Sequence, residues 1–187
     1  MRLDPAYRKI TADEFLSIDF GTDRRFELDN GVIVMMAGGT AAHAQVQTNL
    51  LAYLRTQLRG SGCRPYGSNM AVRISEEVVR YPDVSVYCND PARRENSEAK
   101  AFTDPRVIFE VLSPSTTMFD QGQKLEEYRT LESIDTVVFV DPENERTRIF
   151  QRAGPTSWRD DMFAQPHDVE LPALGLTVPH AEIFARD

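Results

Sequence analysis

The fold is decided by residues 106–112, Arg-Val-Ile-Phe-Glu-Val-Leu, and residues 136–140, Thr-Val-Val-Phe-Val, with a polar segment of helical character between them. Short runs of β-branched and aromatic residues are typical of buried strands. The segment from about Asp120 to Leu131 predicts a helix. A strand, a helix and a second strand in this order predict a parallel pair, because parallel neighbours need a crossover connection. We therefore expect an α/β fold with a mixed β-sheet flanked by helices.

The N-terminal part predicts a short helix, a hairpin and a long helix. Thr11 and Glu14 have the spacing of a capping box at the start of a helix over residues 11–16. An Asn-Gly pair at positions 30 and 31, between two apolar runs, predicts an N-terminal β-hairpin. Residues 41–59 predict the longest helix, with Thr40 as its N-cap and His43 at the start of its core-facing side.

Further along the chain, strands are expected at residues 64–67, 70–74 and 78–87, before a polar segment over residues 89–104 that predicts a loop. A hairpin partner follows at residues 146–152, and the tail predicts weaker strands and a short closing helix. The 187 residues fit a single domain, 1–187, because domains commonly contain about 100–200 residues.

Composition limits the classes of function. The net charge of −8 argues against a protein that coats nucleic acid nonspecifically, but a local basic rim could still hold a phosphate backbone. The candidates for that rim are Arg55, Arg59, Arg64, Arg73, Arg80, Arg93, Arg94 and Lys100. The chain contains no apolar stretch of membrane-spanning length and starts without the apolar segment of a signal peptide, so we expect a cytoplasmic protein without a membrane partner. Cys63 and Cys88 are interpreted as packed thiols in a reducing compartment.

Two carboxylates lie in runs that predict buried strands: Asp83 in residues 81–86, Tyr-Pro-Asp-Val-Ser-Val, and Glu110 in residues 107–112. Burying an unpaired carboxylate is costly, so each needs a cation or hydrogen-bond donors. A shared Mg²⁺ or Mn²⁺ ion meets this need, since both ions prefer oxygen ligands. The alternative is a structural pair that Arg side chains or backbone N–H groups satisfy.

Lys124 is the candidate cation next to these acids. It lies on the helix after the Glu110 strand, with Asp120 and Tyr128 four residues to either side on the same helical face. A helix that returns across the sheet could direct Lys124 toward Glu110. The alternative is a solvated lysine that pairs with Asp120 or Glu127.

These residues together resemble the PD-(D/E)XK nuclease superfamily and, within it, the Uma-two family of endonucleases. The resemblance rests on residues 26–31 (Phe-Glu-Leu-Asp-Asn-Gly), His43, residues 81–84, residues 110–116 (Glu-Val-Leu-Ser-Pro-Ser-Thr), the Asp120, Lys124 and Tyr128 series, and residues 138–142 (Val-Phe-Val-Asp-Pro). It implies a restriction-endonuclease-like fold and metal-dependent phosphodiester hydrolysis, with Asp83 and Glu110 as metal ligands. It also implies that Glu27 is a third acid of the site and that His43 belongs to the site.

The chain departs from the superfamily pattern at Leu112, where the motif commonly has a lysine. Similarity to relatives with a displaced lysine makes Lys124 its substitute. Purely structural roles remain as alternatives: Glu27 could bind Arg24 or cap exposed N–H groups, and His43 could be a partly buried structural histidine.

The sequence thus predicts a metal-dependent DNA endonuclease with Mg²⁺ or Mn²⁺ as cofactor and DNA as partner. Two alternatives stay open: a catalytically reduced relative that binds nucleic acid or protein, and a hydrolase of small phosphoesters. The loop that carries Arg93, Arg94 and Lys100 is expected to flank the cleft and contact phosphate. The oligomeric state is left open, although a homodimer would suit cleavage of both strands of a duplex.

Overall fold

The computed structural model describes residues 8–22, 24–36, 38–89, 96–113 and 118–186, without the side chains of residues 118–120. The helices are α1 (Ala12–Ser17), α2 (Ala41–Gln57), α3 (Met118–Arg129) and α4 (His180–Ile183). The strands up to the first crossover are β1 (Phe26–Asp29), β2 (Val32–Met35), β3 (Arg64–Gly67), β4 (Ala71–Arg73), β5 (Val79–Arg80), β6 (Val84–Tyr87), β7 (Ala101–Phe102) and β8 (Pro105–Val111). The remaining strands are β9 (Thr136–Asp141), β10 (Arg146–Arg152), β11 (Trp158–Met162), β12 (Val169–Leu171) and β13 (Leu176–Val178).

The main sheet has six strands in the order β11-β10-β9-β8-β6-β3. β8 and β9 are parallel, with Glu110 level with Phe139, and α3 lies in the connection between them. The other pairs of this sheet are antiparallel, so the mixed sheet expected from the strand-helix-strand pattern is confirmed. A second sheet has five strands in the order β2-β1-β5-β4-β7, and β12 pairs with β13.

The two faces of β8 pack into different cores, as the period of two predicts. Val107, Phe109 and Val111 belong to the core that α2 covers with its buried face. Ile108 lies in the opposite core with Tyr128 of α3. Glu110 points to the Tyr128 side, so its carboxylate is directed toward α3.

The N-terminal elements have the predicted capping and turn. Thr11 and Glu14 form both hydrogen bonds of a capping box at the start of α1, and the Thr40 hydroxyl accepts from the His43 N–H at the start of α2. At the hairpin turn, Asn30 and Gly31 have φ values of 48° and 78°, which a two-residue turn with this twist requires.

The prediction of one strand over residues 78–87 is wrong. The segment divides into β5, which belongs to the five-stranded sheet, and β6, which belongs to the six-stranded sheet. Pro82 lies between them, and proline has no N–H to continue a ladder. Asp83 therefore lies at the junction of the two sheets, directly before β6, and not inside a strand.

The prediction that residues 89–104 form only a loop is also wrong. Ala101 and Phe102 form β7, which pairs in parallel with β4. A two-residue strand is too short to produce a detectable alternation of apolar and polar residues. Residues 90–95, which include Arg93 and Arg94, lie outside the described residues.

Cys63 and Cys88 form a disulfide, so their interpretation as packed thiols is wrong. Cys63 directly precedes Arg64 and Cys88 directly follows Tyr87, and Arg64 and Tyr87 lie opposite each other in the antiparallel β3–β6 pair. This places the two cysteines opposite each other at the end of the β3–β6 pair, which residue spacing alone cannot indicate. Among the described parts of the chain, no helix is long and apolar enough to cross a membrane.

Reducing this disulfide is expected to lower the free energy of unfolding. The bond closes a loop across a sequence separation of 25 residues. Loss of the chain-entropy constraint on such a loop corresponds to about 3 kcal/mol. Urea denaturation with and without a phosphine reductant measures the difference, and a Cys63→Ser/Cys88→Ser double variant should match the reduced wild type. Equal midpoints for oxidised and reduced protein would contradict the expectation.

Candidate active site

A cavity of about 700 Å³ lies where the hairpin, the start of α2, the β5–β6 junction, the end of β8 and α3 meet. All five side chains predicted for the site line this cavity: Glu27, His43, Asp83, Glu110 and Lys124. They come from separate parts of the chain, and the junction between the two sheets brings them together.

Glu110, at the end of β8, is the most buried acid of the cavity. Lys124 Nζ lies 3.2 and 3.3 Å from its two carboxylate oxygens, and the Tyr128 hydroxyl donates to Oε1 at 2.5 Å. Lys124 and Tyr128 are one helical turn apart on α3, so both side chains reach the same carboxylate. The distance expected between Lys124 and Glu110 is present, while the catalytic role of Lys124 stays a prediction.

Burial dominates the ionisation of this group. It raises the pKa of Glu110, and the pKa stands at about 7 although Lys124 and the Tyr128 hydrogen bond lower it. The Asp83 and Glu27 charges add to the increase. For Lys124, burial lowers the pKa, but the Glu110 and Glu27 charges outweigh burial and the net pKa is raised. Lys124 therefore stays charged. Its single positive charge does not balance the negative charges of the neighbouring acids Glu110, Glu27 and Asp83.

Asp83 is held at the sheet junction by three neighbours. Its Oδ2 accepts from the Val111 N–H at 2.8 Å, and its carboxylate lies 3.1 Å from His43 Nε2. Because a carboxylate only accepts, Nε2 carries the proton in this contact. Gln47 Nε2 donates to the main-chain oxygen of Asp83 at 2.8 Å and to Ser68 Oγ at 3.1 Å. Gln47 was missed by the sequence analysis, although it lies four residues after His43 on the same face of α2.

His43 is positioned by the turn before α2. Gly39 leaves room for the imidazole, since a Cβ at this position would lie 2.8 Å from His43 Nδ1. The hydrogen bond with Asp83 raises the pKa of His43; burial lowers it, and the Asp83 and Glu110 charges raise it further. The net increase favours the imidazolium form next to these acids.

Glu27, on β1, lies between a cation and a backbone donor. Its Oε1 accepts from the Tyr81 N–H at 3.0 Å and lies 3.6 Å from Lys124 Nζ, and its Oε2 lies 3.4 Å from Arg80. The alternative that Glu27 binds Arg24 is wrong, because the cation beside it is Arg80. Lys124 thus bridges Glu27 and Glu110.

Arg80 was assigned to an exposed basic rim, and this assignment is wrong because the side chain is buried. Its guanidinium contacts Glu127 at 2.6 Å through two nitrogens, Asp29 at 2.9 Å and Glu27 at 3.4 Å. Gln123 donates to both Asp29 and Glu127. Arg80 therefore links β1 to α3, the helix that carries Lys124. The same contacts show that Glu127 pairs with Arg80 and not with Lys124.

Other members of the expected rim also lie elsewhere. Arg73 pairs with Asp13 and Glu76, and Lys100 Nζ donates to the Leu16 main-chain oxygen. In the part of the chain that the structure describes, the exposed cations that line the cavity are Arg24 and Arg25. Among the described residues, these two arginines near the hairpin form the exposed basic wall of the site, while Arg93 and Arg94 lie outside the described residues.

The donor set suits a divalent cation. In the described part of the chain, no three His, Cys, Asp or Glu side chains converge to hold a metal alone. Asp83 and Glu110 supply two carboxylates in one cavity, which matches Mg²⁺ sites where one or two carboxylates bind and waters complete the coordination. The raised pKa of Glu110 indicates that Lys124 alone does not compensate this carboxylate.

The ionisation of Glu110 predicts how the stability of the chelator-treated protein depends on pH. Between its ordinary pKa of 4.5 and about 7, folded Glu110 retains a proton that the unfolded chain has released. The folded state thus binds more protons, so wild type should lose stability relative to Glu110→Gln as pH rises through this range. Urea denaturation of both proteins in EDTA across this range measures the change. A pH-independent difference would contradict it.

Comparison with known proteins identifies the family. The family model Uma2, described as "Putative restriction endonuclease", matches residues 12–181. The uncharacterized protein sll1609 of Synechocystis sp. is 32% identical over 150 residues, which cover 80% of this chain and 84% of that protein. A crystal structure described as a putative nuclease belonging to DUF820 from Anabaena variabilis superposes with a TM-score of 0.76 at 20% identity, over 94% of this chain and 98% of that one. The resemblance stated above is thereby confirmed, and the chain belongs to the Uma2 family of restriction-endonuclease-like proteins.

Proposed function

We propose that this protein is a metal-dependent endonuclease that hydrolyses DNA phosphodiester bonds. One observation carries the proposal: Lys124 Nζ contacts both oxygens of Glu110 in the cavity that also holds Asp83. A buried acid and lysine beside a second acid are the residue types that this chemistry needs. The proposal also explains why Leu112 is tolerated, because the lysine comes from α3.

In this proposal Asp83 and Glu110 hold Mg²⁺ or Mn²⁺. Such an ion, when bound, polarises the phosphate and lowers the pKa of a water ligand. Lys124 orients the attacking water and stabilises the charge that develops on the phosphate. Tyr128 fixes the Glu110 carboxylate through its hydrogen bond.

Two further side chains set the geometry of the acids. His43 holds the Asp83 carboxylate through Nε2, and its raised pKa lets it carry positive charge near the phosphate. Glu27 lies 3.6 Å from Lys124 Nζ and shares this ammonium group with Glu110. Arg24 and Arg25, exposed at the cavity wall, are the proposed contacts for the DNA backbone.

The test is cleavage of supercoiled plasmid, single-stranded RNA and bis(p-nitrophenyl) phosphate by purified protein with Mg²⁺ or Mn²⁺. The proposal expects metal-dependent nicking or linearisation of the plasmid and its loss in Asp83→Asn. Asp160→Asn, which changes an exposed acid of β11 outside the cavity, is the matched control.

The other outcomes identify the alternatives. Turnover of the small diester without plasmid cleavage would favour a hydrolase of small phosphoesters. Cleavage of RNA alone would show that the substrate is RNA and not DNA. Metal-independent DNA binding without cleavage of any substrate would favour a catalytically reduced binding protein and overturn the enzyme proposal.

A further inference from the structure

The edge strand β2 exposes an apolar surface that the candidate chemistry does not use. Its residues Val32, Ile33, Val34 and Met35 are exposed by 56%, 38%, 45% and 55%. These are four of the six large apolar side chains that are exposed among the described residues. β2 is the outermost strand of the five-stranded sheet. A side chain on either face of this strand is thus open to solvent.

The other edges of the two large sheets are protected against pairing. β11 carries Arg159, Asp160 and Asp161, and β3 carries Arg64 and Pro65. β7, the remaining edge, has two residues. Charges, proline and short length are the devices by which proteins block unwanted strand pairing. β2 carries no charge and no proline, so among the described residues its outer edge is open to pairing with another strand.

The backbone of β2 defines how a partner strand can pair. The Met36 N–H donates to the Arg25 carbonyl on the β1 side. Backbone N–H and C=O groups alternate in direction along an antiparallel strand. Those of Val34 and Val32 therefore also point to β1, whereas those of Ile33 and Met35 point away from it. A partner strand must therefore pair with Ile33 and Met35.

We propose that two copies of this chain pair antiparallel through β2, with the two-fold axis at Val34. This register places Ile33 of one copy opposite Met35 of the other. The outward N–H and C=O groups of Ile33 and Met35 in both copies then form hydrogen bonds across the interface. Val34 then lies opposite its own symmetry mate. The two five-stranded sheets become one continuous sheet of ten strands.

Three features favour a second copy as the partner. The strand buries no charge when it pairs with itself, because all four residues are apolar. The pairing is self-complementary, as a two-fold interface requires. The ends of the strand also differ in charge: Arg25 lies beside Met36, and Asp29 lies opposite Val32. Antiparallel pairing sets the basic end of each copy level with the acidic end of the other, where Asp29, Glu27 and Glu127 share the single charge of Arg80.

The proposed interface adjoins the candidate active site. Val34 lies opposite Glu27 in the β1–β2 pair and lines the same cavity. In the dimer, the second copy's strand would therefore form part of the wall at the mouth of each cavity. The pairing itself does not depend on the proposed hydrolysis.

The oligomeric state tests the proposal. Sedimentation equilibrium of the wild type should give twice the 21.2 kDa of one chain. Val34→Lys should give monomers, because two ammonium groups would meet at the axis, while Val34→Thr should remain dimeric. Met162→Lys, which changes the most exposed apolar residue of edge strand β11, should also remain dimeric. Circular dichroism checks that each variant is folded.

A disulfide between the copies tests the register. Opposed residues of a non-hydrogen-bonded pair have Cα atoms about 4.5 Å apart, which permits a disulfide. Val34→Cys should therefore form a covalent dimer on mild oxidation. Ile33→Cys should not, because its two copies would be ~9 Å apart, offset by two residues. A monomeric wild type, capture of a different protein by β2, or equal cross-linking of both variants would overturn the proposal.

Discussion

Replacing Lys124 with alanine is expected to lower the rate of metal-dependent DNA cleavage by about 10²–10³-fold, the usual effect of removing one transition-state donor. Metal affinity should be kept, because Lys124 contacts Glu110 and competes with a cation for its oxygens. The comparison belongs well above pH 7, because Lys124 lowers the pKa of Glu110 and its removal raises that pKa further. Single-turnover cleavage measures the rate, and calorimetry with Mn²⁺ measures the affinity.

Lys9→Ala is the matched control for this variant. Lys9 forms an ion pair with Glu77, and both side chains are about half exposed. Its loss should leave cleavage and metal affinity at wild-type values. Wild-type turnover in Lys124→Ala would remove this lysine from the chemistry. A joint loss of metal binding and cleavage would assign it a structural role.

Replacing Arg80 with leucine is expected to lower the free energy of unfolding by about 3–5 kcal/mol, since removing one partner of a buried ion pair leaves uncompensated charge. The variant leaves Glu127, Asp29 and Glu27 without their shared cation. Two of these carboxylates are mostly buried, so water cannot fully replace the guanidinium. Chemical denaturation measures the difference.

Arg148→Leu is the control for the loss of an arginine. Arg148 pairs with Asp160, and both side chains are about 40% exposed. Exposed pairs of this kind contribute about 0–1 kcal/mol, so the control should be close to wild type. A similarly small effect in Arg80→Leu would show that the buried network is not a stabilising link between β1 and α3.

Local patterns were sufficient for much of the fold. The alternation in residues 107–112 correctly assigned Glu110 to the face shared with Ile108, because side-chain direction in a strand depends on parity alone. The spacing of Lys124 and Tyr128 correctly placed both on one face of α3. The face on which a residue lies depends only on its position within one strand or one helix, so it can be predicted from residue spacing.

The errors concern relations between elements. At Pro82 the chain passes from one sheet to the other, so Asp83 lies at a junction inside a segment, residues 78–87, that is rich enough in valine and tyrosine to resemble one strand. Arg80 belongs to the same run, and its three acidic partners come from β1 and α3. The Cys63–Cys88 bond likewise depends on the pairing of β3 with β6. No local signal indicates any of these contacts.

The position of the acids follows from these relations. Strand β8 ends where β5 turns into β6, so the Val111 N–H can hold Asp83 while Glu110 points to α3. The network around Arg80 then fixes α3 against the hairpin. The arrangement of the candidate site therefore depends on Arg80 and its acidic partners as well as on Asp83 and Glu110.

A crystal structure of the protein soaked in Mn²⁺, with anomalous scattering data, would locate the metal proposed between Asp83 and Glu110. We expect one strong anomalous peak within ~2.1 Å of carboxylate oxygens from both residues, with waters in the remaining positions. The peak should disappear in Asp83→Asn crystals that diffract equally well. Absence of a peak between these carboxylates at saturating Mn²⁺, while Glu110 keeps its contacts with Lys124 and Tyr128, would show that the two acids do not form a metal site.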